Sequence, residues 1–118
     1  MTLHRWEKAE ETAQGVGKVR RKGAVIASAS YDLLIEIEKV TARSFLTDEG
    51  SFVRKTAAGE ISLLDGAHLP GDEQGNPRDS FTLVLDNGNE VNFRVESWTL
   101  DPDTRCQVCR IRGSAGRR

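Results

Sequence analysis

Alternation with a period of two dominates the chain between residues 24 and 38. Val25, Ala27, Ala29, Tyr31, Leu33, Ile35 and Ile37 take successive odd positions, while Ser28, Ser30, Asp32, Glu36 and Glu38 take even ones. Side chains alternate across a strand, so this pattern predicts a strand with one face in a core and the other in water. Its length is about twice the usual ~5 to 6 residues, which suits a strand that bends between two layers or wraps a barrel. The small residues Ala27, Ser28, Ala29 and Ser30 are the expected place for the bend. Residues 16–22 are expected to pair with it as a hairpin through Lys22-Gly23, the glycine supplying a positive φ.

A second hairpin is predicted over 81–95. Phe81, Leu83 and Leu85 share one face, as do Val91, Phe93 and Val95. A two-residue Asn87-Gly88 loop would put the two apolar rows on opposite sides of the sheet. A three-residue loop, Asn87-Gly88-Asn89, instead sets Leu85 opposite Val91, Leu83 opposite Phe93 and Phe81 opposite Val95, with Gly88 or Asn89 left-handed. Beyond it the apolar side moves to even positions, Trp98 and Leu100, which predicts a bulge at Glu96-Ser97. Asp101-Pro102-Asp103-Thr104 has the residue order of a type I turn. A last strand over 105–112 places Cys106 and Val108 on one face and Cys109 and Ile111 on the other. Two weaker strands, 51–54 and 60–64, are expected around a turn at Ala57-Ala58-Gly59. Residues 66–80, rich in Gly, Pro and charge, read as a long loop that is either functional or mobile.

Helical spacing occurs only at the start. Thr2 as cap, Leu3, Trp6, Ala9 and Ala13 at helical intervals and Gly15 as stop predict a short helix. Thirteen residues make a marginal helix in isolation, so its Leu3/Trp6 stripe must dock on the domain or on a partner. The expectation is an all-β fold, a small antiparallel barrel or closed sandwich of six to seven strands with a short N-terminal helix. Residues 1–14 form the helix or arm, 15–112 a single β-barrel domain, and 113–118 a flexible basic tail.

Composition adds limits. At 118 residues the chain has the length of one domain, and Leu, Ile, Val and Phe make up about 24% of it, enough for a core. No apolar run is long enough to cross a bilayer and the first residues are charged, so no membrane association and a cytoplasmic location are expected. The net charge of −1 conceals a segregation: residues 1–59 carry +2, 60–103 carry −8 and 104–118 carry +5. Acidic middle and basic flanks are expected to neutralise each other within the fold or between copies.

Candidate chemistry is sparse. Cys106-Gln-Val-Cys109 has no second cysteine pair, and on a strand its two sulfurs point to opposite faces, so no metal site is expected. No nucleophile elbow, zinc-protease motif, phosphate loop or dinucleotide fingerprint occurs, and no cofactor is implied. Three functional readings follow. The first is a non-enzymatic binding or assembly module acting through a protein partner or self-association, with Trp6 as a partner-facing aromatic. The second is single-stranded nucleic-acid binding through the basic hairpin Lys18, Arg20, Arg21 and Lys22 with the tail Arg117 and Arg118, aided by whichever of Trp6, Phe45 and Phe52 the core leaves free. The third is an enzyme using the 66–80 loop, whose paired acids could be drawn from Asp72, Glu73 and Asp79, with Asp72 and Arg78 as candidate binding groups.

Overall fold

The computed structural model describes residues 2–44 and 50–115. Its strands are β1 (Thr2–Arg21), β2 (Ala24–Ser44), β3 (Gly50–Leu63), β4 (Phe81–Val84), β5 (Glu90–Leu100) and β6 (Gln107–Ala115). Every neighbouring pair is antiparallel, and the order β1-β2-β3-β6-β5-β4 closes into a ring where β4 pairs back on β1. The expected all-β class and antiparallel pairing are therefore observed.

The alternation of β2 translates directly into packing. Ala29, Tyr31, Leu33 and Ile35 are buried inside the ring, with Ala27 and Ile37 partly covered. Val25 leaves this row because the β1–β2 register shifts next to the turn, with Val19 opposite Ala27 but Arg20 opposite Val25, and it is 60% exposed. The turn itself has positive φ at both Lys22 and Gly23, as a two-residue type I′ hairpin needs. Buried in the same core are Ile61, Leu63, Leu83, Val91, Cys109 and Ile111, and Phe81 stacks on Phe93 with ring centroids 5.7 Å apart.

The second hairpin keeps the expected parity and the three-residue length, but its register is slipped by two residues. Leu83 lies opposite Val91 and Phe81 opposite Phe93. The loop is Asp86-Asn87-Gly88, closed by Leu85 N–H to the Asn89 carbonyl at 2.8 Å and Gly88 N–H to the Leu85 carbonyl at 3.0 Å. Gly88, with φ 89°, occupies the third loop position, where a left-handed residue completes the turn. The bulge at Glu96 is as expected, with Val95 opposite Ile111 and Ser97 opposite Arg110.

Three expectations are corrected. The short N-terminal helix is not seen: each residue of 2–14 pairs with one of 32–44 on β2. Thirteen residues gain little as an isolated helix, whereas the long β2 offers a ready ladder, so tertiary pairing overrides the local spacing. No turn forms at Ala57-Ala58-Gly59, because β3 runs through it. Gly59 is needed for another reason, since a Cβ there would lie 2.2 Å from the Asp32 carbonyl oxygen of β2. The start of the tail is also structured: residues 113–115 finish β6, and a Cβ on Gly113 would lie 1.8 Å from the Asn92 carbonyl oxygen. These close approaches let the sheet curl tightly between β3 and β2 and between β6 and β5.

The strands are unequal, and this sets the shape. β4 pairs with β1 only over Lys18–Arg20, and β6 pairs with β3 only from Thr56 onward. The outer parts of β1, β2 and β3 therefore leave the ring as a three-stranded arm. The radius of gyration is 17.3 Å and the long axis 59 Å, against roughly 13.5 Å expected for a compact chain of this length.

Candidate functional site

The basic hairpin lies on the seam that closes the ring. Arg20 forms an ion pair with Glu90 of β5 at 2.8 Å, and Arg21 pairs with Asp79 just before β4. Their Nε atoms are buried with no acceptor among the described residues, so the stems are packed into the wall. Lys18 donates through Nζ to Ser28 Oγ at 2.9 Å, and Lys22 sits exposed at the turn. Farther round, Arg110 approaches Glu60 at 3.8 Å and Arg112 approaches Glu96 at 3.4 Å. All four acids belong to the acidic middle segment, so the charge segregation is met in part by pairing within one chain. Trp6 stands opposite Val40 on the arm, while Phe45, Arg117 and Arg118 lie outside the described residues.

The 66–80 segment is a strap folded on the ring. Leu69 is buried, and its N–H donates to Oε1 of the buried Gln107 at 2.8 Å. Asp72 Oδ1 accepts from the backbone N–H groups of Gln74 and Asn76, both at 3.0 Å, and its Oδ2 accepts from Arg78 Nε. The Asn76 N–H and Arg78 together hold the Asp72 carboxyl below the usual carboxylate range. A carboxylate whose acceptors are committed to its own turn has little capacity left as a general base. Trp98 closes the strap by donating from Nε1 to Asn76 Oδ1 at 3.4 Å.

The two cysteines are free and differently placed. Cys109 points into the core, where burial pushes its thiol up to about 12, and Cys106 lies half-buried just before β6. Among the described residues no group of three or more His, Cys, Asp or Glu is placed to hold a metal ion, and no helix is long and apolar enough to cross a membrane.

A feature not legible from motif or charge is the open end of the ring, where the arm departs. There a cavity of about 170 Å³ is lined by the apolar Ile35, Leu85 and Val91 and by the polar Glu11, Lys55 and Asn87. Tyr31 anchors the adjacent loop, donating through its hydroxyl to Asp86 Oδ1 at 2.9 Å. Beside the cavity, β1 pairs with β2 on one side, and among the described residues no strand pairs with its other side before Lys18. Alternation marks Ile35, Leu85 and Val91 as apolar core positions. That they border an opening follows from the unequal strand lengths, for which the sequence carries no signal. No family model matches the chain, and comparisons with curated proteins and with solved structures find no match either.

Proposed function

We propose that the chain is a non-enzymatic binding or assembly module acting through protein partners, engaged by the three-stranded arm. The observation that carries this reading is the edge of β1 before Lys18, which has no strand partner among the described residues. An exposed strand edge presents a row of backbone donors and acceptors ready for another chain, and it is a recurrent means of protein recognition. The nucleic-acid reading loses support because Arg20 and Arg21 are engaged with Glu90 and Asp79. The enzymatic reading loses support because Asp72 and Arg78 are spent on each other and on the strap.

The test is site-specific photo-crosslinking in lysate of the native host, with the reactive residue at position 10 on the arm or at position 103 on the far turn. Protease-sensitive adducts from position 10 and none from position 103 are expected. No protein adduct from position 10, or nuclease-sensitive adducts from a probe at position 22, would overturn the reading.

A further inference from the structure

The free edge of β1 and the cavity beside it are one continuous surface. Glu11, Thr12 and Ala13 of β1 border the cavity while their outer backbone groups have no strand partner among the described residues. A strand laid along this edge alternates its side chains between the two faces of the sheet. A residue opposite Glu11 then projects to the cavity side, as Glu11 does, and the next residue, opposite Glu10, projects to the outer side. The cavity, about 170 Å³, is lined by Ile35, Leu85 and Val91 together with polar groups such as Glu11, Lys55 and Asn87, and its volume is close to the ~150 Å³ that accommodates a benzene-sized body. It has room for one aliphatic side chain.

The outer side differs in character. Glu10 stands directly opposite Glu36 on β2 and both are exposed, an arrangement of like charges that costs stability. A cationic side chain laid beside them removes that cost. At the rim, Glu90 is already neutralised by Arg20, leaving Glu11 as the exposed acid.

We propose that the open end of the ring binds an extended peptide that adds to the β1 edge, drops one aliphatic side chain into the cavity and sets a Lys or Arg beside Glu10 and Glu36. This names the partner class for the protein-binding function proposed above and rests on that reading. Main-chain hydrogen bonds to the edge supply affinity, and the cavity and the acidic pair supply selectivity.

The probe is a fluorescein-labelled peptide, Thr-Thr-Lys-Leu-Lys-Thr-Thr, whose symmetry serves either strand direction, titrated with the full chain by anisotropy. Saturable binding is expected, weakened about tenfold or more when the central Leu is replaced by Ser or both Lys by Glu. Two probes N-methylated at alternate residues should differ, since only one loses donors that face β1. Ala13→Leu or Ala115→Leu, each filling the cavity from its wall, should erase the preference for Leu over Ser while the far-ultraviolet spectrum stays unchanged. Equal binding of the Leu and Ser probes, or no binding of either, would overturn the proposal. Photo-crosslinks to protein from position 10 that persist alongside that result would leave the broader protein-binding reading standing, and their loss would remove both.

Discussion

Arg20 on β1 reaches over β4 to Glu90 on β5, Nη2 to Oε2 at 2.8 Å. The ring is closed there by only three β1–β4 residue pairs, Lys18 with Val84, Val19 with Leu83 and Arg20 with Thr82. An ion pair spanning all three strands therefore holds the weakest seam. Replacing Arg20 and Arg21 together by Ser is expected to lower unfolding stability by about 1 to 2 kcal/mol, the scale of two partly exposed ion pairs. Chemical denaturation checks the stability change, and part of the loss should be reproduced in the wild type by high salt. Micromolar binding of an oligonucleotide by the wild type, lost in this variant with its melting curve unchanged, would instead assign these arginines to nucleic acid.

Gly113 and Gly59 should be far less replaceable than Gly23. Gly113→Ala and Gly59→Ala place a Cβ 1.8 and 2.2 Å from neighbouring carbonyl oxygens, so backbone must shift in either case. Each is expected to destabilise by about 3 kcal/mol or more. Gly23→Ala meets nothing within 4 Å and should cost only about 1 kcal/mol for its positive φ. Urea unfolding of the three variants side by side gives the comparison, and equal losses would contradict the close approach.

The thiols should separate by reactivity and by pH. Cys106 is expected to react with an alkylating agent in the native protein, and Cys109 only on unfolding. Burial raises the Cys109 thiol from 9.0 to about 12, so the unfolded state releases its proton first as pH rises. Stability is then full below about pH 9 and falls as pH climbs toward 12. Tyr31, raised above 10.0 mainly by burial, adds to the same decline. Cys109→Ala should flatten the alkaline slope of melting temperature against pH. A slope unchanged in that variant and in Tyr31→Phe would show that neither group is the cause.

The strap should loosen in acid. The Asp72 carboxyl is held low chiefly by the Asn76 N–H and by Arg78, so its contribution is present above the unfolded carboxyl value and is lost as pH falls through the folded one. Amide exchange at Gln74 and Asn76 should accelerate below about pH 4, relative to core amides such as Leu83. Asp72→Asn should show fast exchange at those amides already at neutral pH. Protection that survives the substitution would mean that the Leu69–Gln107 and Trp98–Asn76 contacts hold the strap without Asp72.

The sequence by itself determined which residues face inward. From Ala27 to Ile37 and in the rows Phe81/Leu83/Leu85 and Val91/Phe93, parity alone separates core from solvent, because a strand places successive side chains on opposite faces and a one-residue slip would expose the whole row. It also determined the Lys22-Gly23 turn and the bulge at Glu96, where turn chemistry and a change of parity are local. Register is a different matter. Leu83 opposite Val91 and Leu83 opposite Phe93 satisfy the same parity, and the choice came from seating Gly88 at the left-handed loop position. The fate of residues 2–14 was decided wholly by tertiary pairing, since a short helix and a strand are close in local free energy and β2 supplies the ladder that tips the balance. The same holds for the candidate site. The basic cluster at Lys18 to Lys22 was legible as charge, but its partners Asp79 and Glu90 lie about sixty to seventy residues away and are brought to it only by ring closure. The cavity and the β1 edge that has no strand partner among the described residues arise because β4 and β6 stop short of their neighbours, a difference in length that becomes visible only once the strands are laid side by side.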